Sequence, residues 1–269
     1  NFGNPDDPGC HVPFALSENG ETLYLHSGAD GVLTGYNDQE KFDASETAVA
    51  FGRYQKSTGT YNFVAMSVNT PGGANAYPKV GPVVISEIMY NPASFEGVPP
   101  SDRGQDARDT EYIELLNISN SAVTLAEYDN EQLVDVPWRF ADDSNGISFD
   151  FPLGTIMAPG EHLLLVKDLA AFDSVYSADD GVQIFEWGAG RLNNAGEKIQ
   201  LSKPGDLLEG TRYYIRIDRV NYSDGSHPAG EDPWPIEPDG SGNSLTRIVP
   251  ADYGNDPENW IAANPSPGE

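Results

Sequence analysis

Three glutamates in strand-like segments, Glu87, Glu111 and Glu114, are of the type that does acid–base work or binds metal. In Glu111-Tyr112-Ile113-Glu114 the two-residue period sets Glu111 on the face opposite Glu114, and Glu87 neighbours either one. The competing reading makes them sandwich-surface carboxylates, or buried ones tied to arginine. Two acidic loops suit a hard cation better, because they offer oxygen donors close in sequence. These are Asp142-Asp143-Ser144-Asn145-Gly146 and Asp179-Asp180-Gly181. Asp142, Asp143, Asp179 and Asp180 are therefore the candidate ligands of a structural calcium ion, and no other cofactor is implied. Neither loop has the twelve-residue EF-hand spacing. Asp-Gly and Asn-Gly pairs are also ordinary turn formers.

Other reactive types are isolated. The histidines His11, His26, His162 and His227 lie far apart, with no HExxH spacing. His162 opens an apolar run and reads as a satisfied core or edge histidine. The single cysteine, Cys10, excludes a disulfide framework and a cysteine zinc site, and the neighbouring His11 leaves such a site two ligands short. There is no G-x-S-x-G elbow and no glycine-rich phosphate loop. Trp138 and Trp260 sit in strand-like contexts and are expected in the core. Trp187, between Glu186 and Gly188-Ala189-Gly190, is expected to be exposed, as a ligand-binding platform. Asn117-Ile118-Ser119 and Asn221-Tyr222-Ser223 are glycosylation sequons.

Forty-two acids against fifteen Lys and Arg give a formal charge of −27. The basic residues are scattered singly, so the chain lacks the patch that phosphate binding needs, and nucleic acid is not an expected partner. No apolar run is long enough to span a membrane. The sequence opens with neither an initiator Met nor a signal peptide, which leads us to expect a mature segment of a longer, exported precursor.

Alternating apolar residues dominate, as in Val83 to Tyr90, Glu111 to Asn117, Trp138-Arg139-Phe140 and Ile147 to Phe151. His162-Leu163-Leu164-Leu165-Val166 is nearly all apolar, which suits a strand buried on both faces. One segment, residues 168–176, has helical spacing behind a capping Asp168. Strands at about ten-residue intervals, with turns between them, predict an all-β antiparallel sandwich.

A set of landmarks occurs twice. Gly20-Glu21-Thr22-Leu23-Tyr24-Leu25, a polar loop, Phe51-Gly52-Arg53, Asn62-Phe63-Val64-Ala65 and Thr70-Pro71-Gly72 form the first set. Gly196-Glu197-Lys198-Ile199-Gln200-Leu201, Leu245-Thr246-Arg247, Asn259-Trp260-Ile261-Ala262 and Ser266-Pro267-Gly268 form the second. The first set lacks the front half that residues 83–192 give the second. We therefore expect residues 1–77 to be the C-terminal part of one module and 78–269 a complete one, joined by the linker 69–82. A half-sandwich leaves apolar faces and strand edges uncovered, so its cover must come from upstream sequence, a partner or the second module.

The motifs Val84-Ile85-Ser86-Glu87-Ile88-Met89-Tyr90-Asn91-Pro92, Glu111-Tyr112-Ile113-Glu114-Leu115-Leu116-Asn117, Leu192-Asn193-Asn194-Ala195-Gly196-Glu197 and Asp218-Arg219-Val220-Asn221-Tyr222 resemble the lamin-tail domain in its bacterial secreted form. That resemblance covers residues 83–268, and its back half also covers 14–72. It implies an immunoglobulin-like β-sandwich without catalytic machinery, serving as an interaction repeat in an exported or cell-surface protein. The partners it implies are proteins, either neighbouring modules or copies of the chain. The alternative is a module that targets polysaccharide or matrix beside a secreted hydrolase. The insertion from Ala93 to Thr110 departs from the pattern and is where a module-specific function would sit.

Overall fold

The computed structural model describes residues 15–30, 32–93, 107–143, 146–227 and 231–269. Cys10, His11, most of the Ala93–Thr110 insertion and the turn residues Ser144 and Asn145 lie outside them.

The first landmark set forms two hairpins. The strands β1 (Gly20–Ala29) and β2 (Val32–Asp43) pair antiparallel, as do β3 (Phe51–Gln55) and β4 (Tyr61–Ala65). The polar loop expected after Leu25 is in fact strand β2. Its run Asn37-Asp38-Gln39-Glu40-Lys41 carries little apolar signal, because much of the strand faces water.

The rest of the chain supplies β5 (Val83–Met89), β6 (Tyr112–Asn117), β7 (Val123–Thr124), β8 (Ala126–Asp129), β9 (Val134–Pro137), β10 (Arg139–Asp142) and β11 (Ser148–Asp150). It continues through β12 (Ile156–Met157), β13 (His162–Val166), helix α1 (Leu169–Val175) and β14 (Gln183–Glu186). The last strands are β15 (Gly196–Leu208), β16 (Thr211–Ser223), β17 (Ser244–Arg247) and β18 (Trp260–Ala263). A six-stranded sheet, β14-β13-β6-β5-β17-β18, faces a four-stranded sheet, β11-β10-β15-β16. This is the expected immunoglobulin-like sandwich.

Alternation decides which side chains meet. Ile85, Ile113, Leu163 and Leu165 of the larger sheet pack with Phe140, Ile199, Leu201 and Val220 of the smaller one. The opposite face of the larger sheet is also covered: Met89, Tyr112, Leu164 and Val166 pack with Phe172 of α1. That double cover explains why β5 is buried at every residue and why β13 reads as a continuous apolar run. Asp168 caps α1 by accepting the Ala171 N–H at 2.8 Å. The helix carries the chain over the sheet, so β14 runs parallel to β13 in an otherwise antiparallel sheet.

The two landmark sets fold alike. Gly20 stands opposite Asp43 at the start of β1, and Gly196 stands opposite Ser223 at the start of β15. Each glycine N–H donates to the carbonyl three residues back, Ser17 at 3.2 Å and Asn193 at 3.0 Å. Each following glutamate accepts the N–H of that same residue, Glu21 from Ser17 at 2.6 Å and Glu197 from Asn193 at 2.9 Å. Both glycines have positive φ, +93° and +105°, and a Cβ on either would press into the facing backbone. The second hairpins share a register: Arg53 faces Phe63 as Arg247 faces Trp260. The first set packs on the second through Val64, Met66 and Tyr253, with Tyr253 Oη donating to Asn62 at 3.0 Å and Arg216 paired to Asp43 at 2.6 Å.

Gly196→Ala sets a Cβ 2.4 Å from the Tyr222 carbonyl at φ +105°, whereas Gly210, at φ +80°, has open space around it. Urea unfolding followed by tryptophan fluorescence should show a loss of about 3 kcal/mol for Gly196→Ala. The same measurement should give about 1 kcal/mol for Gly210→Ala, where only the positive φ is strained.

Candidate interaction face

A β-bulge at Ser86 interrupts the pairing of β5 with β6 between Ile85 and Glu87. On its other edge β5 pairs with β17 only at Glu87 and Ile88. The backbone of Ile85 is therefore left for side chains to bind. Asp218 of β16 accepts the Ile85 N–H at 2.9 Å, and Arg247 Nη1 of β17 donates to the Ile85 carbonyl at 3.0 Å. The two side chains pair with each other at 2.7 Å, and Arg247 Nη2 donates to the Asp252 carbonyl at 2.5 Å. The pair is buried, with the Arg247 side chain at 0% exposure. One ion pair thus clamps a single residue of β5 and links the two sheets.

The first landmark set carries the same two groups at the same register positions. Leu25 faces Asp38 as Leu201 faces Asp218, and Arg53 matches Arg247. Arg53 Nη2 donates to both Asp38 oxygens at 2.6 and 2.7 Å. Among the described residues no strand like β5 lies beside them: β3 and β4 form a two-stranded sheet. The Arg53 side chain is 41% exposed, and its Nε donates to Glu40 at 2.6 Å, where the matching residue of β16 is the apolar Val220. Leu25 is 66% exposed although its counterpart Leu201 is fully buried. Phe51 and Phe63, matching the buried Leu245 and Trp260, are only partly covered. The ion pair and the apolar residues therefore recur at matching register positions, but among the described residues no third strand packs between them.

The three glutamates are buried, and each accepts at least one backbone N–H. Glu87 and Glu114 are register partners. Glu87 accepts from Tyr112 Oη at 2.6 Å and from the Ser266 N–H at 3.1 Å. Glu114 accepts from Ser86 Oγ at 2.7 Å, from the Gly268 N–H at 2.7 Å, and lies 3.0 Å from His162 Nδ1. Together they strap residues 266–268 across the sheet. Burial raises the Glu87 pKa, and the Glu114 hydrogen bond raises that of His162. Glu111 accepts the Leu192 N–H at 2.9 Å, and burial pushes its pKa up to about 8, against weaker lowering by Arg191 and Lys167.

The remaining candidates stay apart. Asp142 accepts the N–H groups of Gly146 and Ile147 at 3.0 Å, closing its own turn. Asp143 accepts the Lys198 N–H at 3.2 Å, and Asp179 and Asp180 are exposed beyond α1. Among the described residues the one trio of potential ligand atoms within 4.8 Å is Asp224, His227 and Asp232, which the sequence reading missed. Their oxygens already serve the turn, since Asp224 accepts from Ser226 N and His227 Nδ1, and Asp232 accepts from Trp234 N. Trp187 corrects an expectation: it is 8% exposed and belongs to the main core. Its backbone N–H continues the β13–β14 ladder to the Val166 carbonyl, so alternation turns its ring inward. Asn117 is likewise closed as a sequon, since its amide donates to the Ser121, Met157 and Ala158 carbonyls. A cleft of about 910 Å³ between the β8–β9 hairpin and the first landmark set is lined by Glu18, Glu46, Asp129, Lys203 and Arg212. Both of its cations are paired, Arg212 to Asp129 and Lys203 to Glu46, each at 2.5 Å.

Two predictions follow from these contrasts. Arg247→Ala strands Asp218 in the interior and should cost about 3–5 kcal/mol in urea unfolding, whereas Arg53→Ala should leave the midpoint unchanged. Glu111 binds a proton more readily folded than unfolded, so its contribution to stability falls as pH rises from about 4.5 towards 8, by at most about 1.4 kcal/mol per pH unit. Glu111→Gln should flatten the fall of stability over that window, and an unchanged slope would contradict the assignment.

Comparison with known proteins bears on the same segments. The family model described as Lamin Tail Domain matches residues 77–224, more than half of the chain. No curated protein matches. Among solved structures, a DUF4876 family protein from Bacteroides thetaiotaomicron is 14% identical over 92% of this chain and 90% of that one, with a TM-score of 0.40. The matched residues supply β5 through β16, which hold both halves of the sandwich core and the clamped Ile85 with its Asp218. The chain belongs to the lamin tail domain family.

Proposed function

We propose that the chain is a non-enzymatic structural and interaction unit, a repeat within an exported or cell-surface protein, whose partners are neighbouring modules or copies of itself. Residues 1–77 are then the back part of one lamin-tail unit and 78–269 a complete one. The observation that carries this reading is the shared frame of the two landmark sets. The Gly-Glu turn, the hairpin register and the Arg–Asp pair recur, while among the described residues the second set alone has a strand between its pair. The lamin-tail family is an interaction domain, and the buried glutamates here are spent on backbone N–H groups rather than left facing a cleft. Tyr24, Leu25, Val32, Leu33 and Tyr36 on the β1–β2 hairpin are exposed on its two faces, apolar side chains open to contact. The strong negative charge suits a solvent-facing, extracellular surface.

Labelling of intact producing cells with a membrane-impermeant amine reagent, followed by crosslinking, tests this. The expected result is surface labelling of the protein and protein–protein crosslinks from Lys41 at the β1–β2 hairpin. Labelling only after lysis, or a chain that turns over a substrate while yielding no crosslinks, would overturn it.

A further inference from the structure

Strand β16 carries an extra residue against β15. Leu201 faces Asp218 and Ser202 faces Arg216, which leaves Ile217 as a bulge between them. In an unbroken strand Arg216 and Arg219, three residues apart, would point to opposite faces of the sheet. With the bulge, Ile217 and Val220 both enter the core, and the two arginines share the outer face, where the first landmark set docks. Two guanidinium groups are thereby set close together under cover.

Their charges are not equally met. Arg216 Nη2 donates to Asp43 at 2.6 Å. Among the described residues no ion pair reaches Arg219. Its hydrogen-bonding neighbour is the neutral Tyr253 hydroxyl, which itself donates to Asn62 at 3.0 Å. The Nε of both arginines is buried without a partner. Burial, and then the field of Arg216, lower the Arg219 pKa, and Asp43, the carboxylate that acts on it, is already held by Arg216.

A cavity of about 50 Å³ lies against these groups, walled by Asp43, Glu46, Lys79, Arg216, Arg219 and Tyr253. One water needs about 10–15 Å³ of such space, so the cavity has room for an ion of a few oxygens. Lys79 and Lys203 both pair with Glu46, and Arg247 pairs with Asp218. Each carboxylate at the wall is therefore committed to at least one cation, and Arg219 is left over. Water in the cavity would meet the hydrogen-bonding demand without matching that charge, whereas an oxyanion would meet both. The planar fork of arginine fits such an ion.

We propose that the cavity beside Arg216 and Arg219 binds a small tetrahedral oxyanion, sulfate or inorganic phosphate. The anion accepts from the Arg219 guanidinium, shares Arg216 with Asp43 and lies in the field of Lys79. It sits where the first landmark set meets β16, so its binding ties the two together. The chain's charge of −27 repels anions at long range, so saturable uptake needs a local site of this kind. The site is independent of the interaction-module reading, and either can fail without the other.

The test titrates the intact, isotope-labelled 269-residue chain with sodium sulfate, and in a second arm with sodium phosphate, at an ionic strength held constant with sodium chloride. NMR should show the Nε–H signals of Arg216 and Arg219 and the amide of Tyr253 shifting to saturation, with a dissociation constant on the order of 1 mM in at least one arm. Arg219→Gln should weaken binding at least tenfold, and Arg219→Lys, which keeps the charge but not the fork, should weaken it less. Asp43→Asn should tighten it, because a competing carboxylate is gone. Arg139→Gln, which removes an arginine paired to Asp150 outside the cavity, should change nothing. Arg219→Gln removes a covered charge that has no carboxylate partner, so it keeps the fold, and the same spectra verify that. Saturation in one arm alone identifies which of the two anions the site takes. Shifts that climb without saturating in both arms, that spread over the other arginines, or that survive Arg219→Gln would each overturn the proposal.

Discussion

A buried charge is tolerated only when its field and its hydrogen-bonding capacity are met locally. Arg247 and Asp218 meet most of that demand with each other and with both polar groups of Ile85, leaving the buried Arg247 Nε without a partner. The consequence is geometric. Asp218 is on β16 of the smaller sheet and Arg247 on β17 of the larger one, so their shared grip on β5 fixes the two sheets at one spot. Ile85 stays in register with Leu115 of β6, and its other edge is left to be gripped because β17 pairs with β5 only at Glu87 and Ile88. The core side chains then interdigitate around a frame already located by polar contacts.

The pair at residues 38 and 53 has a different setting. Among the described residues no strand lies between Asp38 and Arg53, and the arginine also binds a second carboxylate, Glu40, while its side chain stays 41% exposed. Leu25, whose register counterpart Leu201 is buried, is exposed. These features distinguish the first two hairpins from the closed sandwich that follows. The hairpins are steadied by docking on the second set through Tyr253 and by the Asp43–Arg216 pair.

The sandwich was legible because its strands bury alternate residues, and the double burial of β13 was written in its unbroken apolar run. The helix was legible from Asp168 and the spacing behind it. Strand β2 was hidden because a polar strand has no apolar period, and the β8–β9 hairpin because its side chains lie largely at the surface. Trp187 misled because flanking glycines suggest an exposed loop, whereas ladder register decides where its ring points. The clamp could not be seen in sequence: Asp218 and Arg247 are far apart along the chain, and only the fold brings them to one backbone residue. The recurring landmarks held Arg53 and Arg247, but Asp38 lay in the stretch read as a polar loop, so its match to Asp218 emerged only from the register of β1 and β2.

Hydrogen–deuterium exchange along the whole chain, read residue by residue, tests the central claim most directly. If the Arg247–Asp218 pair locks β5 between the sheets while the outer edge of β3 pairs with no strand, amides of β5, β6, β13 and β17 exchange only on global unfolding, while those of Phe51 and Arg53 on the outer edge of β3 exchange orders of magnitude faster. Equal protection of β3 and β17 would contradict the account, because it would mean that the first edge is already paired.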